Sequence, residues 1–295
     1  MFEEPFIPNQ KVALRLPHEV ELYVKREDLL HSEISGNKFR KLKYNFQKAK
    51  QLGYSKIVTF GGAYSNHIAA TAAAGRLSGM QTIGIIRGEE LKEVFESNPT
   101  LLKAYKDGMR FEFVSRAAYR ERNKEEYLEE LKEKYSDAYI IPEGGTNTLA
   151  VTGCQEILKP DDAVFDVIAC AVGTGGTIAG LINSTNKNQQ VIGFPALKGD
   201  FLKEDIRKFV GDNQNWELSL EYHFGGYGKI TRELMSFIEQ FKQGASILLD
   251  PVYTSKMMFG LLDLIEQGHF EKGTKILAIH TGGLQGWNDT IKIKE

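Results

Sequence analysis

The sequence has little that would mark a disulfide-stabilised or metal-stabilised protein. Only two of its 295 residues are cysteines, Cys154 and Cys170, and neither stands in a CxxC or Cys/His arrangement. Proteins that depend on disulfides or structural zinc carry more cysteines, at ligand spacing. We therefore expect reduced thiols, no metal site and a cytoplasmic protein.

The chain also lacks an excess of charge and a long apolar run. Its 37 Lys+Arg and 39 Asp+Glu leave a formal charge of −2, and no basic block marks a nucleic-acid-binding arm. The longest uncharged stretch, 167–186, is interrupted by four glycines, and the first residues lack the basic and apolar regions of a signal peptide. We expect neither nucleic acid nor a membrane as partner.

What the sequence does contain is an alternation of short apolar runs with segments of helical periodicity. Runs rich in Val, Ile and Phe predict strands at 56–60, 81–86, 110–114, 164–172, 190–194, 246–249 and 275–280. Helical spacing follows at 39–52 and 230–241. The alternation predicts an α/β protein with doubly wound, mostly parallel sheets and with ligand sites at the carboxyl ends of the strands.

The glycine-rich segment GTGGTIAG, 173–180, follows the apolar run VIACAV and opens a helical segment. Backbone N–H groups at such a helix start favour an anion. A dinucleotide fingerprint needs glycine where Ile178 stands, and a P-loop needs lysine where Leu181 stands. The pattern disfavours NAD and ATP and leaves two alternatives, a phosphate cradle or a tight turn without a ligand.

A second loop, FGGAYSNH, places Ser65, Asn66 and His67 after a predicted strand and at the start of a helix of small residues. Ser65 or Asn66 can simply cap that helix. The positive end of the helix also favours a carboxylate or a phenolic oxygen as ligand. Capping and ligand binding are compatible.

Lys38 follows Gly36 and opens the predicted helix that begins near residue 39. Most lysines are solvated, and a surface position is the ordinary alternative. A cation at a helix start loses dipole energy unless an anion compensates. A desolvated lysine with a lowered pKa can form a Schiff base, which pyridoxal phosphate needs together with a phosphate cradle.

The motifs SGNKFRKL, GGAYSNH, VGTGGT, DPVYTSK and HTGG occur in this order along the chain. In order and spacing they resemble the tryptophan-synthase-β-like, or fold type II, pyridoxal-phosphate enzymes. Within these enzymes they resemble the branch of 1-aminocyclopropane-1-carboxylate deaminase and D-cysteine desulfhydrase. The resemblance implies that the cofactor lies between two α/β domains.

The resemblance also implies roles for individual residues. The residues it implies for cofactor binding are Lys38, as the Schiff-base lysine, with Asn66, Gly173, Thr174, Gly175, Gly176, Thr177 and Thr281. Those it implies for substrate binding are Ser65, Asn66 and His67. Those it implies for catalysis are Lys38, Ser65, Tyr227 and Tyr253. Thr281 is the first candidate partner of the pyridine nitrogen and Thr254 the second.

The implied reaction is an α,β-elimination on a small amino acid, foremost D-cysteine, giving pyruvate, sulfide and ammonia. The alternative is 1-aminocyclopropane-1-carboxylate deaminase, which gives 2-oxobutanoate and ammonia. Thr254 and Thr281 stand where ring-opening deaminases carry glutamate and leucine, and this favours the desulfhydrase. From another class, a non-catalytic protein of the same fold that binds the cofactor or an anion stays open.

The resemblance further implies a homodimer. For the chain itself we expect a large cofactor-binding domain formed by 1–41 plus 151–295, and a smaller α/β domain inserted at 42–150.

Overall fold

Two parallel sheets organise the chain in a computed structural model, which describes residues 2–199, 202–287 and 293–294. The larger sheet runs, in spatial order, through β1 (Asn9–Lys11), β2 (Glu21–Lys25), β11 (Lys275–Ile279), β7 (Val167–Val172), β8 (Gln190–Pro195) and β9 (Trp216–Leu218). The smaller runs through β5 (Arg110–Val114), β4 (Gln81–Arg87), β3 (Lys56–Gly61) and β6 (Ala138–Ile141). Only the β1–β2 pairing in these two sheets is antiparallel. A further parallel pair joins β10 (Ile230–Thr231) to β12 (Ile293–Lys294).

Helices connect these strands and cover the sheets. The helices are α1 (Asn37–Gln51), α2 (Asn66–Ser78), α3 (Pro99–Lys106), α4 (Arg116–Arg120), α5 (Glu125–Lys134), α6 (Thr148–Gln155), α7 (Gly176–Ser184), α8 (Leu202–Val210), α9 (Arg232–Ala245) and α10 (Thr254–Glu266). The α/β class and the mostly parallel sheets predicted from the sequence are confirmed. No helix in the described part of the chain is both long and apolar enough to cross a bilayer.

The strand predicted at 246–249 is wrong. Ser246 ends α9 in a left-handed conformation with φ 55°. In the segment that follows, the Leu248 carbonyl accepts from His280 Nε2 at 2.8 Å and the Leu249 carbonyl from Trp287 Nε1 at 2.9 Å. Side chains therefore take the backbone groups that a neighbouring strand would have used.

Close packing of three helices fixes the position of α1. A Cβ atom on Gly153 of α6 would lie 2.0 Å from the Arg40 carbonyl oxygen of α1. A Cβ atom on Gly180 of α7 would lie 2.4 Å from Cys154 Cβ of α6. Because neither position has room for a side chain, α1, α6 and α7 approach closely, and the first turns of α1 lie near the start of α7.

The division into 1–41 plus 151–295 and 42–150 stays a prediction. The strands of the smaller sheet fall within 56–141, while those of the larger fall within 9–25 and 167–279. Helix α1 continues across the predicted boundary, from residue 37 to residue 51.

Candidate active site

The turn between β7 and α7 forms one wall of the site. Gly175 has φ 82° and precedes α7, which begins at Gly176 without a side-chain cap. The first N–H groups of this helix are therefore available to an outside acceptor. Behind the turn, Asn37 Nδ2 donates to Thr177 Oγ1 at 2.8 Å, which ties the start of α1 to the start of α7.

Lys41 brings a buried cation to the same turn. Its Nζ donates to the Gly144 carbonyl at 3.1 Å, to Thr146 Oγ1 at 2.9 Å and to Thr174 Oγ1 at 3.3 Å. All three acceptors are neutral, and within the described ranges no carboxylate pairs with this amine. A buried ammonium group without a counter-ion is costly. The site therefore fits a bound anion beside Lys41 and the first turn of α7.

Lys38 lies one turn before Lys41 and has different surroundings. Gly36, with φ 57°, packs so closely on the β11 loop that a Cβ atom there would lie 2.0 Å from the Thr281 carbonyl oxygen. The Asn37 N–H donates to the same oxygen at 3.1 Å. The half-buried Lys38 amine makes no hydrogen bond or ion pair with any described residue. Burial, with the positive charge of Lys41, lowers the pKa of Lys38 to about 7.

The turn between β3 and α2 forms the opposite wall. Ser65 caps α2, because its Oγ accepts from the Ile68 N–H at 3.3 Å. Asn66 follows as the first residue of α2, and its Nδ2 lies 3.1 Å from the place a Cβ atom on Gly283 would occupy. The start of α2 and the loop after β11 therefore face each other.

His67 is buried beneath this turn. Thr59 Oγ1 donates to the Ile141 carbonyl at 2.9 Å, so the 2.7 Å contact with His67 requires that Nε2 carries the proton. His67 Nδ1 is then a buried acceptor without a partner. Burial, with the charges of Lys38 and Lys41, lowers the pKa of His67 well below its usual range. The ring is neutral, and its predicted part in substrate binding stays a prediction.

Two tyrosines close the site from the side of the larger sheet. The rings of Tyr227 and Tyr253 pack edge to face with centroids 5.9 Å apart. Tyr253 also covers the turn before α7, since a Cβ atom on Gly173 would lie 3.2 Å from its Cε1. Burial raises the pKa of both hydroxyls, so both are protonated at neutral pH.

Asp250 holds the turn that carries Tyr253. Its carboxylate accepts from the N–H groups of Val252, Tyr253 and Thr254 at 2.7–2.9 Å. The Thr254 hydroxyl donates to Asp250 Oδ2 at 2.6 Å and accepts from the Asp250 N–H at 2.8 Å. The Thr281 hydroxyl, by contrast, forms no hydrogen bond within the described part of the chain. It is the freer of the two predicted threonines.

The predicted residues thus lie on the loops that follow β3, β7 and β11, at the start of α1, at the start of α10 and, for Tyr227, in the segment between β9 and β10. Lys41 and Thr146 were missed from the sequence. In the run RKLK, Lys41 looks like a solvated residue, and only the close packing of α1 against α6 and α7 buries it. A phosphate fits beside Lys41, and a carbonyl group fits beside the free amine of Lys38.

Comparison with known proteins agrees with this chemistry. The family profile described as pyridoxal-phosphate dependent enzyme matches residues 5–282. A protein of Pyrococcus horikoshii, provisionally named a 1-aminocyclopropane-1-carboxylate deaminase, is 35% identical over 90% of this chain and 85% of its own. The bifunctional mitochondrial D-cysteine desulfhydrase/1-aminocyclopropane-1-carboxylate deaminase of Arabidopsis thaliana is 31% identical over 94% of this chain and 75% of its own.

A solved structure is similar as well. The crystal structure of an ACC deaminase homologue superposes with a TM-score of 0.78 at 32% identity, covering 96% of this chain and 91% of that one. The sequence match, the superposition and the anion and amine sites all point to the same cofactor chemistry. The chain belongs to the family of pyridoxal-phosphate-dependent enzymes.

Proposed function

We propose that the chain is a deaminating lyase that catalyses α,β-elimination on a small amino acid, foremost D-cysteine, giving pyruvate, sulfide and ammonia. The observation that carries the proposal is the Lys38 amine, which has no bonding partner among the described residues and a pKa lowered to about 7. Half of such an amine is neutral at pH 7, so it can act as a nucleophile and as a base.

The residues around the α7 turn would hold the cofactor phosphate. Lys41 supplies the positive charge, the N–H groups of Gly176 and Thr177 supply donors, and Thr174 adds a hydroxyl. On the far side, Asn66 would hold the ring oxygen. When bound and attached to Lys38, pyridoxal phosphate supplies an electron sink for the charge left at the α-carbon of the substrate.

The start of α2 would receive the substrate carboxylate. Ser65 and Asn66 stand in the first turn, where the positive helix end favours an anion. With the carboxylate held there, the Lys38 amine would take the proton from the α-carbon. The neutral ring of His67 supports this turn from below through its contact with Thr59.

The protonated hydroxyls of Tyr227 and Tyr253 would orient the substrate and stabilise the leaving sulfide by donating hydrogen bonds. Thr281 is the better candidate for the pyridine nitrogen, because the Thr254 hydroxyl is engaged with Asp250. A neutral hydroxyl at that nitrogen does not favour its protonation, and this moderates the electron sink and suits elimination.

The alternative activity is that of a 1-aminocyclopropane-1-carboxylate deaminase. It is supported by the name of the Pyrococcus horikoshii relative and by the double name of the Arabidopsis thaliana relative. Against it, neither candidate partner of the pyridine nitrogen is an acid, since both Thr254 and Thr281 are hydroxyl residues. Ring opening needs a stronger electron sink than a hydroxyl provides.

The test is an absorbance spectrum of the purified protein with pyridoxal phosphate, before and after each of D-cysteine, L-cysteine and 1-aminocyclopropane-1-carboxylate. Sulfide, pyruvate and 2-oxobutanoate are assayed in the same samples. We expect a visible cofactor band that D-cysteine perturbs, with sulfide and pyruvate formed in equal amounts. 2-Oxobutanoate from the cyclopropane substrate alone would establish the alternative, and a band without turnover of any substrate would favour a non-catalytic protein.

We also propose that the protein works in the cytoplasm as a homodimer. Both cysteines are free and buried, as suits a reducing compartment. The dimer rests on family resemblance, and light scattering of the purified protein tests it. A mass near 33.2 kDa, that of a single chain, would contradict the dimer.

A further inference from the structure

Arg87 is an exposed arginine at the carboxyl end of β4, on the side of the smaller sheet that faces the site. Its guanidinium forms no hydrogen bond or ion pair with any residue in 2–199 or 202–287. The group packs over the Tyr119 ring at 5.8 Å from the centroid. The Tyr119 ring therefore holds the guanidinium in place, while no carboxylate of the described residues pairs with its charge.

The neighbouring charges are already neutralised in pairs. Glu143, the nearby carboxylate, accepts from the Tyr119 hydroxyl at 2.6 Å and from Arg122 at 2.6 Å. Just after β4, Glu90 pairs with Arg116 at 2.6 Å. Both of these carboxylates are therefore already paired with arginines other than Arg87.

Arg87 lies against the loop that we assign to the substrate. A Cβ atom on Gly62 would be 3.3 Å from its Nη2. Gly62 and Ser65 are the ends of one tight turn, because the Ser65 N–H donates to the Gly62 carbonyl at 3.1 Å. The Cα atoms at the ends of such a turn lie within about 7 Å of each other. That spacing is close to the length of a small amino acid with an extended side chain.

The positive charge of Arg87 also reaches the opposite side of the site, where it partly offsets the effect of burial, which raises the pKa of Tyr227. Arg87, at the end of β4, and Tyr227, in the segment between β9 and β10, therefore lie within electrostatic reach of each other. A substrate held by its carboxylate at Ser65 would extend its side chain toward Arg87.

We propose that Arg87 selects amino acids whose β-substituent ends in an anionic group, such as a carboxylate, sulfonate or phosphate. The inference rests on the proposed function and goes beyond it, because the thiol of cysteine is short and mostly neutral at pH 7. For a phosphate ester the elimination balances as O-phosphoserine plus water giving pyruvate, ammonia and inorganic phosphate. The Cα–H and Cβ–O bonds break, and phosphate leaves with the electron pair.

The first test measures binding with a pair of ligands of equal size that lack a leaving group. Aspartate and asparagine, each as both enantiomers, are titrated into the cofactor-loaded protein by calorimetry. We expect the preferred enantiomer of aspartate to bind about tenfold to a hundredfold more tightly than asparagine, the range of one charge-assisted contact. In Arg87→Gln the preference should disappear. Arg110→Gln, which removes the same charge at the opposite end of the sheet, should retain it.

The second test measures elimination from O-phosphoserine, an anionic substrate, and from β-chloroalanine, a neutral one. We expect Arg87→Gln to lower kcat/KM for O-phosphoserine about tenfold to a hundredfold and to leave β-chloroalanine unchanged. An equal loss for both substrates would show that Arg87 binds the α-carboxylate, which overturns the inference. Unchanged kcat/KM for both substrates would overturn it too. If the unmodified protein turns over neither substrate, the proposed function fails, while the aspartate preference still decides the role of Arg87.

Discussion

The first and second turns of α1 each present a lysine to the same site, and the two amines differ in their partners. Lys38 has none among the described residues, whereas Lys41 donates to three neutral oxygens. Burial lowers the pKa of both. Burial alone therefore does not define a catalytic lysine. Lys41 is held by neutral oxygens and can bind an anion, whereas the Lys38 amine has no partner among the described residues and is free to react.

Removing the Lys38 amine should have the largest effect. We expect Lys38→Ala to lose turnover about 10³- to 10⁴-fold, because the variant lacks both the cofactor attachment and the base. Steady-state kinetics of D-cysteine elimination measure the loss. Lys48→Ala, which removes an exposed lysine from the same helix, should keep full activity. Retained turnover in Lys38→Ala would refute the assignment of Lys38.

The lowered pKa should make Lys38 unusually reactive in the protein without cofactor. An amine with a pKa of about 7 is half neutral at pH 7. A lysine with the ordinary pKa of about 10.4 is neutral in about one molecule in 2,500. Because a less basic amine is also a weaker nucleophile, trace acetylation followed by peptide mapping should label Lys38 about tenfold to a hundredfold faster than a lysine peptide added as a standard.

The pH dependence of acetylation tests the lowered pKa of Lys38 directly. Labelling of Lys38 should rise through pH 7 and level off above it, because only the neutral amine reacts. Lys41, although its pKa is also lowered, should stay unlabelled, since its amine is buried and bonded. A midpoint near pH 10 for Lys38 would contradict the structure.

Replacing Lys41 by methionine separates the two lysines. We expect Lys41→Met to weaken pyridoxal phosphate binding about tenfold to a hundredfold, since one charge-assisted contact to the phosphate is lost. The stability of the protein without cofactor should not fall, because a buried cation is replaced by an apolar side chain of similar length. Fluorescence titration and thermal unfolding measure the two quantities. Unchanged cofactor affinity would exclude Lys41 from the phosphate site.

Ser65→Ala should have the smallest effect on activity, because it leaves both Lys38 and Lys41 in place. Losing the cap of α2 costs about 1 kcal/mol of folding stability. With one donor to the substrate carboxylate removed, KM should rise about tenfold while cofactor affinity stays the same. Ser65→Thr preserves the cap and serves as the control. Weaker cofactor binding with KM unchanged would contradict this assignment, because it would place the cofactor, and not the substrate carboxylate, at the start of α2.

The sequence predicted the fold better in its long elements than in its short ones. The α/β class followed from apolar runs such as 164–172, whereas β1, β2, β6 and β9, which are 3 to 5 residues long, were not predicted. In the predicted strand at 246–249, Ile247 and Leu249 are buried, but the carbonyls of Leu248 and Leu249 accept hydrogen bonds from His280 and Trp287. Apolar character predicts burial and does not specify the hydrogen-bonding partner.

The sequence predicted those parts of the site that lie within a single loop. It did not predict the parts that depend on contacts between distant segments. Gly175 and Gly176, ahead of a helical segment, marked this loop as either an anion site or a tight turn without a ligand. Lys41 and Arg87 carry no local signal, because their roles depend on contacts with Thr146 and Gly62, which are distant in sequence. Whether Thr254 or Thr281 is free depended on the Asp250 turn, which only the folded chain displays.

The decisive measurement identifies the lysine that carries the cofactor. The purified protein is incubated with pyridoxal phosphate, reduced with borohydride and digested, and its peptides are mapped by mass spectrometry. We expect the mass of one cofactor on the side chain of Lys38 and on no other lysine. Cofactor fixed to Lys41, or to neither lysine, would contradict this assignment.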